Sequence, residues 1–264
     1  ELRSYDGRLQ DNVQAQRSLH FILGSTRLFY MWGRPFLFTS DIYRKQLYDI
    51  IPYDVDNVRL RYYPDQTGEG FAQGIDFRVH GEFVKGTQSW FSVSFLQTKE
   101  NIVGDTYSVY FDPNGNEIYK GQLNQVPSYT EEVREVGWIR RPRDQRINIS
   151  AYFEDHMPGD PTLRVYLNLV FGSGYPFGPP GNARYRNAFA GDEYYRADVG
   201  FSKKFDISIN DLFTHIWVRA EVLNALAADN TLSYTWIEDV YGAQFAIPNS
   251  LSARFLNIKI SAEL

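Results

Sequence analysis

The sequence predicts an all-β fold: an antiparallel sheet of about nine strands that forms part of a transmembrane β-barrel. Three observations predict it. Apolar and polar residues alternate with period two in one segment after another. The connections between those segments alternate between long and short. Aromatic residues make up 16% of the 264, chiefly 19 Tyr and 19 Phe, as expected of a barrel with aromatic girdles.

Taken in order, residues 1–15 are polar and show no recognisable element. Residues 18–23 (SLHFIL) read as a short strand, and 24–35 as a turn region marked by Gly24, Gly33 and Pro35. A long, mixed strand follows over 36–51. Residues 52–70 are loop-like, with Asp54, Asp56, Asn57, Asp65, Gly68 and Gly70, although 58–63 can extend a strand pair into the loop.

From there the alternation is clean, and successive side chains point to opposite faces. Ile75, Phe77 and Val79 alternate with Asp76, Arg78 and His80. Phe91, Val93 and Phe95 alternate with Ser92, Ser94 and Leu96, and Ile147, Ile149, Ala151 and Phe153 with Asn148, Ser150, Tyr152 and Glu154. The pattern continues through 163–171, 195–202 and 216–223. The last stretch, 252–264, alternates strictly from Leu256: Ile258, Ile260 and Ala262 face one way, Asn257, Lys259 and Ser261 the other. Its length suits the roughly 9–11 residues with which a tilted strand crosses a bilayer. It reads as the closing strand of an outer-membrane barrel.

The connections strengthen that reading. Counted back from the C-terminus they run long (225–251), short (206–213), long (172–193), short (155–161), long (100–142), short (84–88), long (52–70) and fairly short (24–35). Long extracellular loops on one rim and short periplasmic turns on the other characterise outer-membrane barrels, whereas a soluble sandwich has no reason to alternate so. Nine is odd, and single-chain bacterial barrels usually have even strand numbers, so the whole chain, 1–264, reads as part of a larger barrel. It begins at Glu1 without a signal-peptide pattern, as a mature, trimmed or fragmentary chain would.

Composition removes other classes. No run of about 18 apolar residues is present, which excludes a transmembrane helix. A net charge of −5 argues against nucleic acid as a partner. With no cysteine, thiolate catalysis, disulfides and cysteine–metal sites are out.

The wording of several segments resembles the C-terminal barrel region of TonB-dependent outer-membrane receptors, including the SusC-like members. The segments are GIDFRVHGEFVKGTQSWFSVSFLQTKE (74–100), WIRRPRDQRINISAYFEDHMPGDPTLRVYLNLVFGSGYPFGPP (138–180), YYRADVGFSKKF (194–205), VRAEVLNALAADNTLSYTWIEDVYG (218–242) and SARFLNIKISAEL (252–264), with IPYDVDNVRLRYY (51–63) upstream. The resemblance implies a 22-stranded barrel with a plug domain in its lumen, of which this chain would be the C-terminal part, the plug and earlier strands lying elsewhere. It implies active uptake of a scarce small-molecule or oligomeric nutrient, energised by TonB through the plug, in the bacterial outer membrane, with lipid and a surface lipoprotein as further partners. No catalysis and no cofactor are implied. The chain ends on Leu264, where the family usually ends in an aromatic.

Candidate chemistry is sparse beside this. His20, His80, His156 and His215 lie far apart without metal-ligand spacing. Glu154-Asp155-His156 resembles acid/base machinery, but adjacent strand residues face opposite sides, and Pro158 to Pro161 makes a turn, so a solvated periplasmic turn is favoured. Asp112 to Glu117 lacks the spacing of a calcium loop, and Asn114-Gly115 suits a tight turn at a hairpin tip. Residues 172–181 (GSGYPFGPPG) suit a stiff extracellular loop, with Tyr175 and Phe177 free to pack or to stack on a ligand. A phospholipase-like arrangement would place His215 on the outer wall, yet no serine has a distinguishing neighbourhood. Arg140, Arg141, Arg143 and Arg146 form the densest basic cluster, able to meet lipopolysaccharide or an anionic ligand or simply to flank the rim. Glu131, Glu132 and Glu135 read as a solvated loop face. Arg78, Arg164, Asn168, Arg196, Asp198, Arg219 and Glu221 are expected to face the lumen, with no single ligand contact assignable. A small stand-alone barrel and a soluble all-β binding protein are the alternative readings.

Overall fold

The computed structural model describes residues 13–56, 59–179, 182–209, 213–240, 244–250 and 253–263. Its strands in chain order are β1 (Arg17–Met31), β2 (Arg34–Ile50), β3 (Tyr53–Asp56), β4 (Arg59–Tyr62), β5 (Gly68–Gly81), β6 (Ser89–Ile102) and β7 (Thr106–Phe111). Then come β8 (Glu117–Ile118), β9 (Thr130–Glu135), β10 (Trp138–Arg140), β11 (Ile147–Met157), β12 (Asp160–Gly172), β13 (Pro176–Phe177) and β14 (Phe189–Ala190). The last are β15 (Tyr194–Ile209), β16 (Phe213–Leu223), β17 (Thr231–Glu238), β18 (Gln244–Ser250) and β19 (Phe255–Glu263).

Nine long strands form one antiparallel sheet in the order β1-β2-β5-β6-β11-β12-β15-β16-β19, and β10 adds to the end of β6. Every step joins strands that follow one another along the path, so the sheet is a simple meander. Among the described residues it does not close: β1 pairs only with β2, and β19 only with β16. The remaining strands form small sheets within the long connections, β3-β4, β8-β7-β9, β13-β14 and β17-β18.

The register carries the period-two pattern across the whole sheet. Phe38, Val79, Phe91, Ala151, Leu169 and Ala197 lie in one cross-strand row. The next row on that face holds Leu167, Val199, Val222 and Leu256, followed by Val165, Phe201, Ala220 and Ile258, then Val218 and Ile260. β1 and β2 divide their apolar residues, with Ile22, Leu28, Leu37 and Leu47 on the opposite side and Arg27 beside Phe38, whereas from β5 to β19 the strands present most of theirs to the same side. That side is uncovered among the described residues: Phe201 is 50% exposed, Ile258 72% and Leu256 78%. The few polar side chains on it gather towards its ends. At the long-connection end Arg44 donates to Gln73 (2.6 Å), which donates to Gln97 (2.8 Å). At the other end Lys203 pairs with Asp160.

The same rows reveal a tilt. The row through Phe38 stands four residues from the short-connection end of β2 (Phe38 against Arg34), two from those of β5 (Val79 against Gly81) and β6 (Phe91 against Ser89), and six from that of β11 (Ala151 against Met157), so the stagger accumulates between β6 and β15. It stands nine from that of β12 (Leu169 against Asp160) and twelve from that of β15 (Ala197 against Ile209). Averaged from β2 to β15, that stagger corresponds to strands inclined by roughly 45° to the line of the turns, taking a rise of about 3.4 Å per residue and a strand spacing of about 4.8 Å.

Aromatic rings fill the rim at the short turns. Phe36, almost fully buried, contacts Phe29 (5.5 Å), Trp32 (6.1 Å) and Phe83 (5.0 Å), and Phe83 meets Phe153 (5.7 Å). Three rings also lie across glycines of the neighbouring strand: Phe36 over Gly81, Tyr43 over Gly74 and Tyr166 over Gly200. The missing Cβ is what lets the rings lie flat against the sheet.

The sequence reading needs correction at several boundaries. The first strand is not the short 18–23 but the fifteen residues of β1, and it runs straight through Gly24, which pairs with Asp41. The turn region shrinks to Trp32-Gly33, both with positive φ (54° and 71°), the geometry of a two-residue type I′ hairpin. The loop at 52–70 contains the β3-β4 hairpin, and the connections at 103–146 and 224–254 fold into small sheets of their own.

Candidate functional site

The polar face of the sheet is built by the residues that alternate with the apolar ones. Registers place Arg78, Arg164, Asn168, Arg196, Asp198, Arg219 and Glu221 together on it. Aromatic and cationic side chains interleave there. Arg78 lies over Trp90 (5.0 Å), Arg219 over Tyr166 (4.9 Å) and Arg164 over Trp217 (5.0 Å), while Tyr152 stacks on Tyr166 (5.8 Å). Arg164 also pairs with Glu154 at 3.0 Å, and Asn257 donates to Glu221 at 2.6 Å.

A polar hub at the long-connection end of this face ties wall to loop. Asp198, 5% exposed, accepts from Arg196 Nε (2.7 Å), Asn168 Nδ2 (3.2 Å) and the backbone N–H of Asn224 (2.8 Å). Asn224 takes a positive φ of 50° and bonds Ala228 through both atoms of its amide. Asn230 then accepts from the backbone N–H of Tyr195. The chain leaving β16 is thereby fixed before it enters β17.

Four long connections meet above the wall and enclose a cleft of about 270 Å³. Asp54 and Tyr63 come from the connection after β2, and Pro142 from that after β6. Tyr175, Phe177, Arg186 and Asp192 come from the connection after β12, and Thr231, Ser233, Tyr234 and Trp236 from β17. Close packing of backbones holds it. A Cβ on Gly174 would overlap the carbonyl of Gly191, and one on Gly178 that of Tyr185. Phe177 stacks on Tyr234 at 4.0 Å. Tyr63 donates to Asp54 at 2.8 Å, and Arg186 pairs with Asp105 at 3.0 Å. Burial holds the Asp105 carboxyl above its usual range against the opposing pull of Arg186, and the Asp54 charge adds to the rise. Burial, and then the Asp192 charge, push the Tyr234 hydroxyl up.

The residues singled out from sequence fare differently. Arg140 and Arg146 both bind Asp144 (2.9 and 2.7 Å), Arg141 binds Glu100 (2.9 Å), and Arg143 lies over Tyr175 (5.2 Å). Asp144 and Glu100 are buried at 0% and 1% exposure, so this cluster is mostly neutralised and is a structural clamp rather than an open basic patch. Glu154 faces the polar wall, while Asp155 points to the opposite side and accepts from the backbone N–H of His156. Glu154 therefore belongs to an ion pair and not to a solvated turn.

His215 lies on the polar face beside Asp206 (2.8 Å), opposite to the outer-wall placement a phospholipase-like site needs. His20, His80, His156 and His215 sit on β1, β5, β11 and β16, no two of which are neighbours in the sheet. The Asp112 carboxylate is occupied by the N–H groups of Asn114 and Asn116, closing a turn with Gly115 at φ 82°. Its pKa falls below the ordinary range through those bonds, chiefly from Asn116. Glu132 pairs with Arg134 and Glu131 accepts from Ser108 within the exposed β7-β9 sheet. Of the loop aromatics, Phe177 packs against Tyr234 and Tyr175 receives Arg143.

Asp192, Asn224, Asn230, Tyr234 and Trp236 were not picked out from sequence. For Asn224 and Asn230 the sequence signal is the Asn-Ala-Leu-Ala-Ala-Asp-Asn run at 224–230, two asparagines in a turn between alternating segments. Comparison with protein-family models, curated proteins and solved structures gives no match for this chain.

Proposed function

We propose that this chain is a section of the wall of a bacterial outer-membrane β-barrel, of the TonB-dependent receptor type, that captures a nutrient ligand on its long-connection side. One observation carries the reading: along nine antiparallel strands, and most cleanly from β5 to β19, most apolar residues turn to one uncovered side and most charged residues to the other. In water that arrangement is unstable, because a sheet buries its apolar face against a second layer. Among the described residues no such layer covers Phe201, Leu256, Ile258 and Ile260, which are half or more exposed. In a bilayer the apolar side meets acyl chains and the polar side meets a water-filled lumen. Strand tilt, the aromatic rim and the grouping of long connections at one end support the same placement.

The open edges favour a larger barrel over a complete nine-stranded one. A fifteen-residue edge such as β1 leaves backbone groups unpaired, which hydrocarbon does not tolerate. Further strands of the same barrel would pair with β1 and β19. By resemblance, a plug would fill the lumen and a pull by TonB would release the ligand inward; catalysis has no part in this. The intact mass of the native protein in the detergent-extracted outer-membrane fraction, detected with an antibody to 252–264, tests the reading. A mass two to three times the 30.6 kDa of this chain is expected. A heat-modifiable species of about the chain's own mass would replace it with a small stand-alone barrel and remove TonB coupling.

A further inference from the structure

We propose that the turn at 224–230 is a sprung latch. Asp198 holds it in a strained form, and release of that hold from the polar face of the sheet swings the β17-β18 hairpin away from the cleft. The latch stands on this chain's own contacts; its use, opening a capture cleft from the lumen side, rests on the ligand-capture reading.

Two features work against the turn as it stands. Ala227 sits at a φ of 52°, the left-handed region in which a Cβ crowds the following carbonyl. Asn230 is buried at 1% exposure and its Nδ2 has no hydrogen-bond partner, a deficit that a looser turn relieves by returning the group to water. Three contacts to β15 hold the turn against these costs. The Tyr195 N–H donates to Asn230 Oδ1 (2.9 Å), the Ala225 N–H to the Ala197 carbonyl (2.7 Å) and the Asn224 N–H to Asp198 Oδ1 (2.8 Å). Of the three, the last alone depends on a side chain of β15, and the wall shares that side chain. Arg196 Nε donates to the same Oδ1 (2.7 Å) and Asn168 Nδ2 to Oδ2 (3.2 Å), both from the polar face. A shift of either side chain therefore disturbs the bond that fixes the turn.

The turn is also the hinge of the hairpin. β17 leaves it directly at Thr231, and the chain returning from β18 is tied to it where Arg254 donates to the Ala225 carbonyl (2.8 Å). The hairpin is a sheet of its own and pairs with no strand of the wall. One of its faces supplies Tyr234 and Trp236 to the cleft, where Tyr234 stacks on Phe177 at 4.0 Å, and Thr231 reaches Asp192 (3.5 Å). The other face carries Ile237, Phe245 and Ile247, all half-exposed, so among the described residues no layer presses the hairpin down from behind. Few contacts outside the cleft oppose its swing once the turn loosens.

Amide exchange of the native protein in detergent micelles tests the latch. Asp198→Ala is expected to quicken exchange over β17 about tenfold along with that of the turn. Asn168→Ala, which bonds neither turn nor hairpin, should quicken it about threefold, and Arg78→Ala, elsewhere on the same face, should leave it unchanged. Ala227→Gly, which removes the strain, should slow it about threefold. Loosening of the turn alone in Asp198→Ala, with native exchange over β17, overturns the latch. So does native exchange over β17 in Asn168→Ala, an equal response to Arg78→Ala, or exchange in Ala227→Gly no slower than in the native chain. Unchanged protection at the centre of β6 shows that the variants remain folded. Recovery of the protein from the soluble fraction would instead overturn the barrel reading, and the same measurement in buffer then decides the latch.

Discussion

Replacing Asp198 by alanine would release the link between wall and loop. The carboxylate is 5% exposed and holds three donors. Arg196 is about a third exposed and can turn to water, so little is charged to its loss. The backbone N–H of Asn224 has no such escape, because the residue is buried at 1% exposure. A stranded buried donor costs about 1–3 kcal/mol, and the loss of a bond to a charged acceptor falls in the same range. Asp198→Ala should therefore destabilise the turn at 224–230 by about 3 kcal/mol. Asp198→Asn, which keeps an acceptor for Asn224, should cost about 1 kcal/mol. Amide hydrogen exchange in detergent micelles reads this locally: protection at Asn224 and Tyr195 should fall by about two orders of magnitude in the alanine variant while the centre of β12 is unchanged. If the alanine variant keeps native protection at both amides, the hub does not fix the loop and the reasoning fails.

Other predictions follow from single contacts. Gly200→Val would drive a side chain into the Tyr166 ring and should lower thermal stability, and Tyr166→Ala in the same chain should recover part of the loss, a coupling that a double-mutant cycle measures. Arg141→Ala would leave Glu100 buried without its partner; a cost of about 3 kcal/mol is expected, visible as faster proteolysis within 103–146, whereas Arg134→Ala, which breaks an exposed pair, should leave the rate of proteolysis unchanged. Asp112, Glu117 and Glu132 all have lowered pKa values, from bonds to Asn116, Arg184 and Arg134 respectively. Their stabilisation is complete above the ordinary carboxylate range, near pH 4, and is lost as pH falls through the lowered values. Proteolytic nicking within 106–135 should accordingly rise below about pH 4 and be flat between about pH 5 and 7.

Much of the wall is legible in the sequence because period two is a local property. Ile147, Ile149, Ala151 and Phe153 show their side of the sheet without knowledge of any partner strand. The seven wall residues named from alternation accordingly fall on one face. What stays hidden depends on partners distant in sequence. The run of arginines at 140–146 reads as a basic patch because Glu100, which Arg141 meets, lies 41 positions away, and because burial of Asp144 leaves no mark in the string. Gly24 reads as a breaker, yet it holds its place in β1 because the Asp41 side chain occupies the space a Cβ would take. The cleft is the least legible part, since four connections supply its walls and only Tyr175 and Phe177 stand out in any of them.

The central claim is that one side of this sheet faces lipid and the other water. The natural absence of cysteine allows single cysteines to be placed along β19 at Asn257, Ile258, Lys259 and Ile260 and spin-labelled in the native protein in bilayers. Collision with oxygen, which partitions into lipid, should be high at 258 and 260, and collision with a water-soluble nickel chelate high at 257 and 259. Equal access of the chelate to all four positions would contradict the account.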